Sequence, residues 1–342
     1  MSTNENKGKK AEVTALQAIS AEDRKDWISL AFVQAGICVC VPAFLLGALL
    51  AEAMPIWPAI ISGSLGYLIV VVGMVATGMI GCDLGLASCT CCQAGFGKSG
   101  ARFIVSTIFA VNMIGWFGIQ NGVCGEAFSN AMLAMTGWDI PVVVSNTIWG
   151  IIMLLTAVYG VHALEKLDKI SIPLLMIIMC YGTFLAFKVY GTGNLNDEGT
   201  VQSMSFMSGV ALSFNFTAVG TITGPDYTRF QKSRKDTVKS VFYGVFPMGV
   251  ITLIMGIVLT KLSGQYDISM VLIEVGLPLL GIIALVISTG QTTYDSKLNT
   301  PSTCPKIPRS HNTIPTIPEI KVASLLRLSL SLSAITMLRP AL

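Results

Sequence analysis

The sequence predicts an all-α polytopic membrane protein. Three observations carry that expectation. Apolar residues make up 53% of the 342, charged residues only 12%, and the mean hydropathy is +0.69. An ordinary soluble domain carries about 25% charge. Eight apolar runs stand out, at about 28–51, 55–80, 101–123, 140–160, 170–190, 204–223, 239–261 and 268–289; a spanning helix needs about 20 residues. Basic residues collect in every second connecting segment. Together these exclude a soluble enzyme, a disordered chain and a nucleic-acid binder, and a formal charge of +3 is too small to call for a polyanionic partner.

Residues 1–26 are polar and mixed in charge, which reads as a cytoplasmic N-terminal segment rather than a cleavable signal. The first run holds Pro42 at mid-span. Proline has no N–H for the carbonyl four residues back and crowds it. It either kinks the helix or frees main-chain oxygens near Val39 to Ala43 for a cation or a substrate. The second run carries Gly63, Gly66, Gly73 and Gly78, and the third Gly115, Gly118 and Gly122. Small residues let helices approach closely in lipid, as a compact bundle needs.

In the third run Trp116 and Gln120 are four apart and share a helix face. A flat aromatic beside an amide suits a small heterocycle with polar edges, though both side chains also serve helix packing. In the sixth run Asn215 lies between Phe214 and Phe216. It either reads a ring edge while the phenylalanines stack, or bonds another helix. The eighth run ends on Ser288, Thr289, Thr292 and Thr293, hydroxyls that either cap the helix or ligate a small cation.

The connecting segments set an orientation. With the N-terminus cytoplasmic, inside segments hold fourteen lysines and arginines and outside segments only Lys188 and Lys261. The positive-inside rule selects that orientation; the expected location is the plasma (cytoplasmic/inner) membrane, with the chain passing through it several times. The cysteines Cys89, Cys91 and Cys92 cluster beside Cys82; they read as reduced thiols near a cytoplasmic helix end, a metal or redox site being the weaker alternative without a histidine or acidic ligand set. The two histidines, His162 and His311, fall in a connecting segment and in the tail, which leaves no constellation for a membrane enzyme. No repeated filter or charged ring suggests a channel. After about residue 293 the pattern changes. Five prolines fall between Tyr294 and Lys321, and residues 325–332 read LLRLSLSL. This tail, 294–342, is expected to be disordered or frameshifted, leaving 27–293 as the transmembrane domain.

Several segments in order carry a resemblance: SLAFVQAGICVCVPAFLLGALLAE, FGKSGARFI, the GWFG core of the third run, SFNFTAVGTITGPDYTRFQKSRKD and DISMVLIEVGLPLLGIIAL. The chain resembles the nucleobase:cation symporter-1 family, most closely its cytosine permease branch, over about residues 20–293. The resemblance implies a LeuT-type fold of twelve helices, ten of them in two inverted repeats with helices one and six broken. About eight of the twelve are expected here, so the second repeat is expected to be incomplete and the chain as written to transport poorly. The resemblance also implies uptake of a nucleobase, cytosine first, with Na+ or H+ as coupling ion and no other cofactor. Purine, uracil, allantoin and hydantoin permeases of the same family are the alternatives, together with a truncated membrane protein that binds ligand without moving it.

Residue by residue, the resemblance assigns Trp116 to ring stacking and Gln120 to the ring edge. It assigns Phe214, Asn215, Phe216 and Thr217 to the helix-six substrate segment, with Phe214 and Phe216 bracketing the ring with Trp116. The family's substrate-binding asparagine of helix eight stands here as Ser288 or Thr289 and its tryptophan as Gln291, and Met113 replaces a glutamine used by the cytosine branch. For sodium, the paired hydroxyls of helix eight fall on Thr292 and Thr293, and the helix-one oxygens on Cys40 and Ala43. The partners implied are the nucleobase and the bilayer, with oligomeric state open.

Overall fold

The computed structural model describes residues 18–159, 161–192, 195 and 204–264, with the backbone alone over 154–159 and 161–171. Every named element in these residues is a helix. The first apolar run is two helices, α1 (Trp27–Cys38) and α2 (Val41–Ala53), bent by 53° at Val39 and Cys40. Both break residues have left helical dihedrals, with Cys40 extended at φ −140°, ψ 158°. Pro42 sits in the first turn of α2, where a missing N–H costs nothing and a fixed φ favours the start. The proline therefore begins a new helix instead of kinking an old one.

Then follow α3 (Ile56–Leu84), the short α4 (Ser88–Cys91) and α5 (Gln93–Gly100), a π-turn over Ala101–Val105, and α6 (Ser106–Thr136). Next come α7 (Val142–Tyr159) and α8 (Val161–Tyr190). The connecting segment expected at 161–169, with His162, Lys166 and Lys169, is helical instead: the run HALEKLDK is made of good helix formers, so α8 extends past its apolar portion. The sixth run is α9 (Phe206–Thr217) followed by α10 (Val219–Thr228). The expected break around Asn215 lies instead at Ala218, and it is slight, because Ala218 keeps φ −55°, ψ −28°. Helix α11 (Arg234–Ser263) closes the described part. Among the described residues five helices are long and apolar enough to cross a membrane, six with the bent α1–α2 pair as one span. The eighth run, 268–289, and the tail lie outside the described residues.

Two seams organise the bundle. Helix α11 packs along α1 and α2, and α3 packs along α9 and α10; α3 and α11 meet each other between them. Leu46 and Leu50 of α2, Tyr67 and Met74 of α3, and Leu253 and Ile257 of α11 form the main core. At the α2–α11 crossing, Gly47 and Gly256 bring backbone onto backbone: a Cβ on Gly256 would run into the Phe44 carbonyl. Hydroxyls stitch the other seam. Ser213 donates to the Gly63 carbonyl, Thr77 to that of Thr221 and Thr228 to that of Gly78, each at 2.7 Å. Outward positions such as Ile114 (71% exposed) and Val143 (75%) are apolar, which suits hydrocarbon surroundings.

One end of the bundle gathers charge. The segment 19–26 lies across it, with the Ile19 N–H donating to the Gly85 carbonyl (3.0 Å) and the Lys25 N–H to that of Phe230 (2.7 Å). Arg24 donates to the Gln231 carbonyl (2.9 Å), and ion pairs join Lys232 to Asp26 and Arg234 to Asp83. Beneath them Asp226, buried, accepts the Ser88 N–H at 3.0 Å.

Candidate functional site

A cavity of about 120 Å³ opens where α1 gives way to α2, well beyond the ~10–15 Å³ that one water requires. Cys38, Cys40, Pro42 and Ala43 supply the wall at the break. Opposite, α6 presents Met113, Trp116 and Gln120, spaced i, i+3 and i+7 on one face. Helices α9 and α10 present Phe216, Gly220, Thr223 and Tyr227 on one continuous face, with Thr217 beside it. That phase explains which residues of the sixth run take part. Phe216 and Thr217 line the cavity; Asn215 and Phe214, one and two residues before Phe216, do not.

The lining is mostly apolar, with polar groups at fixed points. Gln120 is buried, and its Nε2 donates to Cys124 Sγ at 3.3 Å. The Thr217 hydroxyl donates to the Ser213 carbonyl at 2.9 Å. Cys40 Sγ donates to the Ile37 carbonyl at 3.4 Å, and the Cys40 carbonyl accepts the Ala43 N–H at 3.0 Å. The Trp116 and Phe216 rings meet edge to face, centroids 5.2 Å apart and planes at 89°. The two aromatics touch one another on the cavity wall.

Thr289, Thr292 and Thr293 lie outside the described residues, so only the α1–α2 half of the expected cation site is in view. Among the described residues no group of three His, Cys, Asp or Glu side chains converges as metal ligands would. Cys91 and Cys92 are free thiols beside Asp226, and burial, reinforced by neighbouring thiols, pushes each up to about 12.

Sequence reasoning missed the α3 wall. Tyr67 and Met74 line the cavity, and the Tyr67 hydroxyl, within electrostatic reach of Cys38 and Cys40, has no hydrogen-bond partner among the described residues. One turn from Cys38 along α1, the buried Gln34 amide also lacks a partner among them. The small residues of α3 signalled its close packing; nothing in its composition singled out Tyr67.

The family described as permease for cytosine/purines, uracil, thiamine, allantoin matches residues 19–302. The cytosine permease of Escherichia coli (strain K12) is 28% identical over 279 residues, 80% of this chain and 64% of that protein. The chain thus spans less than two thirds of the length of that relative. Among solved structures, the inward-facing conformation of Mhp1 superposes with a TM-score of 0.74 at 18% identity, covering 93% of this chain and 72% of that one. Mhp1, a nucleobase-cation-symport-1 family transporter, closed with bromovinylhydantoin bound, gives 0.70 at 16%, covering 94% and 74%. Those likenesses confirm the LeuT-type fold. With the family match running through α1 to α11 and over the cavity, the chain belongs to the nucleobase:cation symporter-1 family of permeases, a family of transporters rather than enzymes.

Proposed function

We propose that this permease carries a nucleobase, cytosine first, across the plasma membrane with a coupling cation, by alternating access of the cavity at the α1–α2 break. The observation that carries the reading is the composition of that cavity: Trp116 and Gln120 on one wall, Phe216 and Thr217 on the other, and a broken helix between them. A broken helix turns main-chain dipoles toward a midplane ligand. The Trp116 face supplies a stacking platform, and the Gln120 amide both donates and accepts along a ring edge. Cytosine as first candidate is supported by the Escherichia coli relative, and a flat amide-edged ring by the bromovinylhydantoin of Mhp1. Phe214 and Asn215 are proposed to act from behind the lining, and Thr289, outside the described residues, is proposed as a further substrate-binding residue.

For the cation, main-chain oxygens at Cys40 and Ala43 form one half of a site and the hydroxyls of Thr292 and Thr293 the other. Hard oxygen donors of this kind suit Na+; H+ is the alternative. The charged end formed by Arg24, Lys25, Arg229, Lys232 and Arg234 is assigned to the cytoplasm with the N-terminus, which the positive-inside rule supports.

Radiolabelled cytosine uptake in cells lacking their own permease, with and without a sodium gradient, tests this. Uptake raised by sodium supports the full reading; uptake driven by a proton gradient alone moves the coupling to H+. Protein present in the membrane that neither takes up cytosine nor binds it in competition with purines, uracil or allantoin overturns it. Binding without accumulation identifies a ligand-binding membrane protein instead.

A further inference from the structure

Several polar groups on the cavity wall already have acceptors. The Thr217 hydroxyl donates to the Ser213 carbonyl and the Thr223 hydroxyl to the Val219 carbonyl (3.1 Å), each four residues back in its own chain segment. Gln120 Nε2 donates to Cys124 Sγ, and Cys40 Sγ to the Ile37 carbonyl. Tyr67 differs from these. It lines the same cavity from α3, it is 1% exposed, and its hydroxyl has no hydrogen-bond partner among the described residues.

The ring that carries this hydroxyl is held firmly. Gly249 of α11 backs it so closely that a Cβ there would stand 2.4 Å from Cε1 and 2.7 Å from Cδ1. Val71 and Met74 of its own helix and Val245 of α11 belong to the same buried cluster. Close packing of this kind leaves an aromatic side chain little freedom to turn, so the place of its oxygen is set by the core. The hydroxyl lies within electrostatic reach of Cys38 and Cys40, which line the cavity at the α1–α2 break.

A buried phenol without a partner destabilises the fold, and phenylalanine would fill the same space without that cost. Tyrosine hydroxyls in protein interiors usually find a partner. The cavity beside Tyr67 is where one can be delivered, because a planar base carries carbonyl oxygens and unprotonated ring nitrogens along its edge. We propose that Tyr67 is a specificity-determining residue of the substrate cavity, its hydroxyl donating to an acceptor on the edge of the bound base. A ring without an acceptor on that edge leaves the phenol unpaired and is disfavoured. This assignment deepens the function proposed above and rests on it.

Tyr67→Phe tests it on the full chain in detergent, because it removes the oxygen and keeps the ring against Gly249. Thermal unfolding without ligand and calorimetric titration with cytosine are the two readouts. The unfolding midpoint is expected to stay level with the parent's or rise, while cytosine binding weakens about tenfold. A packing role does not divide the two readouts in this way. A lower midpoint, or loss of folded protein, means that the hydroxyl has a structural partner and overturns the proposal. If the parent binds uracil, adenine or allantoin in place of cytosine, the same comparison is made with that compound. Equal affinity of parent and folded variant overturns the proposal and leaves the functional reading standing. A parent that binds none of the four defeats both.

Discussion

At the scale of residues, Trp116 is the lining side chain to which the proposed function assigns ring stacking. Base stacking on an aromatic contributes about 1–3 kcal/mol by alanine substitution, so Trp116→Ala is expected to weaken cytosine binding about 5- to 150-fold. Calorimetric titration of folded variant checks it, and unchanged affinity removes the stacking role. The buried thiols give a second prediction. With Cys91 and Cys92 pushed up to about 12, the thiolate fraction at pH 8 is about one in ten thousand, so both are expected to resist maleimide in folded protein and react on unfolding. Rapid native labelling at either position, read by mass spectrometry, would contradict that burial. The Trp116–Gln120 pair was legible in the sequence because four-residue spacing fixes a shared helix face. The division of FNFT into Phe216 and Thr217 lining and Phe214 and Asn215 behind was not. It depends on the rotational phase of α9, which packing against α3 sets and composition does not reveal.

Elements tell the same story through their breaks. The interruption at Val39 and Cys40 was signalled by Pro42, because proline disfavours a helix running through its position and suits the first turn of a new one. The interruption at Ala218 could not, since neither proline nor glycine marks it and its dihedrals stay helical. The start of α8 was hidden for another reason: apolar runs report burial in lipid, while a helix continues into polar sequence for as long as propensity allows. The α2–α11 crossing yields a prediction at this scale. A methyl on Gly256 meets the Phe44 backbone, which cannot rotate away, so Gly256→Ala forces the helices apart at a cost of about 1–3 kcal/mol. Gly118→Ala adds a methyl with nothing within 4 Å and improves helix propensity, so its unfolding midpoint should stay level or rise. A Gly256→Ala midpoint equal to the parent's would show that the helices separate freely.

Taken as a whole molecule, the chain brings Arg24, Lys25, Lys232 and Arg234 from separate segments to one end. Counting charge by segment groups these residues in the sequence; the backbone bonds that bind the segment 19–26 to Gly85 and Phe230 had no signature there. The ion pairs there contribute little. The Lys232 and Asp26 side chains are 53% and 75% exposed, and such pairs contribute about 0–1 kcal/mol, so Asp26→Asn is expected to leave the unfolding midpoint nearly unchanged in a thermal melt. The main-chain bonds matter more, because they tie the start of α1 to the ends of α3 and α10. Any tilting of α1 away from its neighbours at that end has to release the amides of Ile19 and Lys25 to water. Those two amides are in effect a clock: the rate at which they trade hydrogen for deuterium reports how often that end of the bundle parts, and a ligand that holds it shut slows the exchange without touching either residue.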